Sequence, residues 1–208
     1  MKSKIFIFLL GTAILSACAT SMSSTWTKSD YQGRSFSNIL VIVEANSVQG
    51  RVNSENAIVD RLKKEGINAT NSLNVFPIGS KVEDLSEDEI EKRILDGGYD
   101  GVLISFLATQ NSRDVREGGG TYAQPVTVRY GRRIRTGYVH VQEPEYYRQE
   151  TIYVLETQLY DTKDQANKQS GVWSGQSEIT DPSSVESAAK SYSKTLVNNL
   201  LSSGIIQK

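Results

Sequence analysis

Residues 38–44, NILVIVE, and residues 101–109, GVLISFLAT, are near-continuous runs of β-branched and aliphatic side chains. A strand with one wet face alternates polar and apolar residues, so runs like these belong to strands covered on both faces. Helical patterns lie between them. Asn53 and Ser54 offer caps for a helix reaching Glu65, with Ile58, Val59 and Leu62 on one face and Gly66 ending it. Residues 67–76 read as a weaker extended segment closed by Pro77. Ser86 and Glu89 then have capping-box spacing, and Leu85 and Ile90 have that of a hydrophobic staple. Ile90, Ile94 and Leu95 form the expected buried face of this second helix, and Gly97-Gly98 breaks it. Short βα units around doubly buried strands imply parallel pairing through right-handed crossovers.

The later sequence is mainly β and then α. The stretch VTVRYGRRIRTGYVHV, after Gly118-Gly119-Gly120, predicts a hairpin turning near Gly131 to Arg133. Residues 152–160 alternate as a strand, and residues 171–179, with Trp173, form another after a polar turn. Asp181 is placed to cap a last helix with Pro182 at its first position, and Val185, Ala188, Tyr192, Leu196 and Leu200 repeat at three and four residues. Gly204 followed by Ile205 fits a Schellman stop against Leu200. The fold class read from this order is α/β, a mixed β-sheet with flanking helices and a β-hairpin insertion over residues 110–148.

At the amino end, Lys2 and Lys4 precede the apolar run Ile5 to Leu15, too short for a transmembrane helix of about 20 residues and suited to a signal peptide. The run ends Leu15-Ser16-Ala17-Cys18, which resembles the lipobox of bacterial lipoproteins. That resemblance implies that residues 1–17 are removed, that the Cys18 sulfur carries a diacylglyceryl group, and that the freed amine is acylated, usually by palmitate. Two or three long chains make a stable anchor where one is marginal. Ala19 stands where inner-membrane retention favours Asp, so the sorting rule favours the outer membrane, and a periplasm-facing orientation is expected although the sequence does not decide the face. Residues 18–25 then read as the lipidated cysteine and a short flexible tether, and residues 26–208 as one α/β domain.

Composition narrows the chemistry. Among 208 residues, 23 Lys and Arg face 24 Asp and Glu, and loss of Lys2 and Lys4 leaves a mature chain three charges negative, with no polyelectrolyte signature for nucleic acid. One cysteine excludes an internal disulfide, one histidine, His140, excludes a multi-histidine metal site, and lipidation of Cys18 would exclude a Cys/His pair. The loop after the first buried strand, ANSVQGRVNS, lacks the dinucleotide fingerprint, and Gly118 to Gly120 lacks the Lys-Ser or Lys-Thr of a phosphate cradle. Glu143 and Glu145 could serve acid/base chemistry in principle, but residues two apart on a strand share a face when both are simply solvated. The reading is therefore non-enzymatic, with no cofactor and no metal.

One segment stands out. Residues 113–148 hold seven arginines against four acids, and five of the ten tyrosines. Between Val126 and Val141 the chain concentrates Arg129, Tyr130, Arg132, Arg133, Arg135 and Tyr138 without an acidic residue. Arg and Tyr are favoured at protein contact surfaces, so these six form the expected partner-binding set, with an envelope protein, lipid headgroups or a peptidoglycan component as partner. The competing reading is a solvated hairpin whose tyrosines pack on the domain.

Taken together, LSAC, NILVIVE, RLKKEGINAT, YDGVLISF and the late VWSG strand before a terminal helix resemble uncharacterised proteobacterial outer-membrane lipoproteins. The pattern also looks like the TolB amino-terminal fold, shared by penicillin-binding-protein activator lipoproteins. The resemblance implies fold and address, and a non-catalytic interaction or assembly partner held at the outer membrane. A direct synthase activator looks across the periplasm through a long linker, which the short tether here does not provide. The alternative function is a small-ligand-binding or enzymatic lipoprotein with a pocket that no motif marks.

Overall fold

The computed structural model of the chain describes residues 19–79, 84–130, 133–163 and 171–208. In chain order the elements are β1 (Ala19–Thr27), β2 (Arg34–Ser35), β3 (Ile39–Glu44), α1 (Val48–Lys64), β4 (Ala69–Asn71), a 3-10 turn at Ser72–Asn74, α2 (Glu87–Asp96), β5 (Gly101–Glu117), β6 (Thr121–Tyr130), β7 (Arg133–Gln142), β8 (Tyr146–Asp161), β9 (Trp173–Thr180), α3 (Val185–Ser202) and β10 (Ile206–Gln207). Six strands form a mixed sheet in the order β1-β9-β8-β5-β3-β4. β3 pairs in parallel with β4 and β5, and the remaining pairings are antiparallel.

The two apolar runs lie side by side at the centre, with Ile39 opposite Gly101 and Val41 opposite Leu103. Alternation along β3 divides the core. Ile39, Val41 and Val43 join Ile58, Leu62, Leu196 and Leu200 of α1 and α3 on one face, while Leu40 joins Phe76 and Tyr99 on the other, where Ile90 and Ile94 of α2 pack. This covering on both faces is why the runs lack polar alternation.

All three helices stop in the same way. Ile67 N–H donates to Leu62 O and Gly66 N–H to Lys63 O; Tyr99 donates to Ile94 and Gly98 to Leu95; Ile205 donates to Leu200 and Gly204 to Leu201. Gly66, Gly98 and Gly204 have positive φ, and the following residue is buried in each case. These are Schellman stops with their hydrophobic contact. Gly33 is fixed differently, because a Cβ there would lie 1.8 Å from the carbonyl oxygen of Gly204, where β2 and β10 pair in parallel.

Four expectations are corrected. Residues 19–25 are not a tether: they belong to β1, whose small polar side chains gain strand structure by pairing Ala19 with Thr180 and Thr25 with Gly175. Thr20 also donates from its hydroxyl to Ser191, and Met22 packs against the core, so the segment is held by α3 and β9 rather than by its own pattern. Helix α1 begins before Asn53, because the Ser47 hydroxyl accepts the Gly50 N–H and carries the helix through that glycine. Asp181 is not the α3 cap; Ser184 is, in a reciprocal pair with Ser187, and Asp181 has φ of 47°. Leu95 is exposed rather than buried.

The buried Glu55 fastens α1 over β3 and β4. Its carboxylate accepts from Val43 N at 3.1 Å, Ser72 N at 3.0 Å, Ser72 Oγ at 2.6 Å and Arg51 Nε at 3.0 Å. At the opposite end of β3, Arg34 donates to both oxygens of Asp161 and through Nη1 to Asp100 at 3.1 Å. Burial would raise the Asp100 carboxyl, but the N–H groups of Ser37 and Asn38, with Arg34 and Lys163, outweigh it and hold it well below the carboxylate range. Asp161 is shifted in the same direction, burial again being outweighed, here by Arg34 first.

Candidate functional site

The sheet narrows where β1 and β9 end. One row of partners runs Ala19, Thr180, Ile152 and Asn111 across β1, β9, β8 and β5. Beyond this row only β5 and β8 continue, paired from Ser112 opposite Thr151 to Glu117 opposite Tyr146. They have lost neighbours on both sides, so they form a two-stranded arm. At its far end β6 and β7 continue as a hairpin of ten-residue strands, each about 33 Å long. Gly118 and Gly119 make the joint with φ of 81° and 75°, and a Cβ at Gly118 would lie 2.4 Å from Pro144 O. Only glycine fits there.

Ion pairs hold the base of the arm. Arg113 donates to Glu150 through Nε at 3.0 Å and Nη2 at 2.9 Å, and Arg116 pairs with Glu145. Arg148 forms the node, reaching Glu117 at 2.8 Å, Glu150 at 2.7 Å and Asp181. The Arg148 hydrogen bond holds the Glu117 carboxyl below its ordinary value, and Glu117 in turn pushes the Tyr146 hydroxyl up. Three of the seven arginines counted in residues 113–148 are thus paired at the base, and the other four are Arg129, Arg132, Arg133 and Arg135. Composition alone did not separate the two sets. The Arg113 to Glu150 pairing was beyond reach of local pattern, since the partners are 37 residues apart.

The expected hairpin is present. Arg129 pairs with Ile134, Tyr130 with Arg133, and Val128 with Arg135, which puts these expected partner-binding residues together at the tip by backbone register. Arg132 and Cys18 lie outside the described residues. Tyr138 sits opposite Pro125 and is 70% exposed. Tyr122, Tyr146 and Tyr147 are 53%, 56% and 70% exposed, so these arm tyrosines do not pack on the domain. His140 is exposed opposite Ala123. Glu145 is engaged by Arg116, so Glu143 and Glu145 do not form a free carboxylate pair. Among the described residues no group of three His, Cys, Asp or Glu could hold a metal ion, and no helix is long and apolar enough to cross a membrane.

A second feature lies at the same end of the sheet. A cavity of about 460 Å³ opens between the start of α3, the start of α1 and the carboxyl end of β3. Tyr192 on its wall is fully buried, donating to Ser105 Oγ at 2.8 Å and sharing a hydrogen bond with Thr157. Burial pushes the Tyr192 hydroxyl up, so it is neutral at physiological pH.

The molecule is thus an α/β protein built on a six-stranded mixed sheet from which a long two-stranded arm projects. No family model and no curated protein matches the chain. Among solved structures it is similar to the PelC dodecamer from Paraburkholderia phytofirmans, at 12% identity over 91% of this chain and 99% of that one, with a TM-score of 0.43. It is also similar to lipoprotein GNA1162 from Neisseria meningitidis, at 16% identity over 80% of this chain and 99% of that one, with a TM-score of 0.40. Likeness at these scores does not establish the TolB amino-terminal fold or kinship with the activator lipoproteins.

Proposed function

We propose that the chain is a lipid-anchored protein of the bacterial outer membrane, facing the periplasm, that acts as a non-catalytic assembly or interaction partner through its arm. The observation that carries this reading is the arm itself. A lone two-stranded hairpin is marginal in water. This one exposes Tyr122, Tyr138, Tyr146 and Tyr147, which is the condition of a surface that gains its cover from a partner.

The position of β1 sharpens the reading. It starts at Ala19, the residue after Cys18, in the row of the sheet where the arm departs. With no tether to spend, a lipid on Cys18 holds this end of the domain against the bilayer, and the arm lies within reach of the membrane surface. Arg129, Arg132, Arg133 and Arg135 at the tip then suit an acidic or phosphate-bearing partner, an envelope protein or a lipid headgroup.

The test is capture from crosslinked envelopes with wild type and the triple variant Arg132→Ser, Arg133→Ser, Arg135→Ser. Exposed substitutions usually change stability by less than about 0.5 kcal/mol, so the triple variant is expected to melt like wild type while capture falls and loses its salt dependence. Undiminished capture by the folded variant would move the contact off the tip. Cys18→Ser is expected to release the protein from membranes, and membrane retention of that variant would refute the anchor.

A further inference from the structure

The cavity and the start of β1 share one end of the molecule. Val43, Leu155 and Ile179 of the sheet line the cavity, with Ala188 and Tyr192 of α3, while the exposed Leu107 and Val185 stand at its mouth. Of its polar lining residues, Glu44, Asn46 and Ser184 are solvent-exposed, Ser54 and Tyr153 are half-buried, and the Tyr192 hydroxyl is already satisfied by Ser105 and Thr157. The buried lining residues Val43, Ile179 and Ala189 are apolar and Tyr192 is already hydrogen-bonded, so the deep wall suits an apolar ligand, and the volume lies within the range of small-molecule sites of about 300–1,000 Å³.

We propose that this cavity holds one acyl chain of the lipid carried by Cys18. The proposal rests on the anchor reading above and adds where part of the lipid goes. Ala19 pairs with Thr180, and Pro182, two residues further on, lines the cavity. Residue spacing of 3.8 Å and strand pairing of about 5 Å put the Cys18 Cα within about 16 Å of Pro182. An acyl chain on a diacylglyceryl cysteine can span that distance to the cavity. Filling the cavity with hydrocarbon replaces water by dispersion contacts along its walls. The chains left in the bilayer still anchor the protein, since two suffice. The docked chain would fix the orientation of the sheet, and with it the direction of the arm, relative to the membrane.

Metabolic labelling with a fatty acid bearing a photoreactive diazirine tests this in the full-length protein. Irradiation of membranes is expected to join the lipidated Cys18 peptide to the peptide containing residues 182–189. Ala188→Trp, which fills the cavity, and Val185→Glu, which puts a carboxylate at its exposed mouth, are each expected to lower that crosslink at least tenfold with labelling of Cys18 unchanged. Val185→Glu keeps the test decisive if Ala188→Trp does not fold. Labelled Cys18 with no crosslink to residues 182–189, or a crosslink indifferent to both substitutions, overturns the proposal. An equal crosslink in Cys18→Ser shows that the cavity takes a free chain and overturns assignment to the protein's own lipid. Absence of label from wild-type Cys18 is a failure of the anchor reading, and it is visible before irradiation.

Discussion

Removing the Glu55 carboxylate should unfasten the end of the molecule that carries the cavity. Glu55 is wholly buried and accepts four hydrogen bonds, two from the backbone N–H groups of Val43 and Ser72, one from the Ser72 hydroxyl and one from Arg51. Glu55→Ala leaves two buried N–H donors unpaired, at about 1–3 kcal/mol each. Arg51 also loses its ion pair, although its partial exposure lets water replace some of that loss. The sum agrees with the roughly 3–5 kcal/mol found on breaking a buried pair, a large part of the ~5–15 kcal/mol stability of an ordinary domain. Glu55→Gln retains one acceptor oxygen but turns its NH₂ toward donors, and should cost about 1–3 kcal/mol. Urea denaturation of the Cys18→Ser protein, followed by circular dichroism, measures both. Because Glu55 joins α1 to β3 and to Ser72, Glu55→Ala should also speed amide exchange at Val43 and Ser72 ahead of the strands of β8 and β9. A Glu55→Ala protein within 1 kcal/mol of its parent would refute the argument that this carboxylate holds the three segments together.

Other outcomes follow from the same geometry. Asp100 and Asp161 have folded-state pKa values below their unfolded ones, so the stability they contribute is fully present above the unfolded carboxylate value near 3.9 and is lost as pH falls below it. Arg34→Ala should lessen that acid dependence, as read by melting between pH 2 and 6. Arg148→Ala removes the ion pairs to Glu117 and Asp181 and leaves Glu150 to Arg113 alone, and it should increase proteolysis within residues 110–148 while leaving global melting nearly unchanged, since the Glu117 and Asp181 pairs are largely exposed. Leu40→Asp would bury an unpaired carboxylate between Phe76 and Tyr99 and should abolish cooperative unfolding, whereas a variant that melts like wild type would remove Leu40 from the core.

Several parts of this protein are written locally, and those parts were legible. The Ser86–Glu89 capping box, the glycine-then-apolar stops of three helices, and the unbroken runs of β3 and β5 depend on neighbours within a few residues or on burial so complete that composition records it. The arm's hairpin is visible too, because alternation around Gly131 needs no distant partner. Where the protein meets its surroundings, the deciding contacts are remote in sequence. Residues 19–25 have no strand pattern and become β1 only because β9, about 150 residues later, offers an unpaired edge. Asp181 looks like a helix cap and is instead taken by Arg148, 33 residues earlier, leaving Ser184 to start α3. The arginines of residues 113–148 form one cluster by composition, yet pairing across β5 and β8 neutralises those at the base. The cavity leaves no motif at all, since its walls come from β3, α1, β8, β9 and α3, and its buried apolar residues read as ordinary core. Local pattern therefore determined the elements, while the placement of the start of β1, the arm and the cavity at one end of the sheet arises only when strands distant in sequence pair in register.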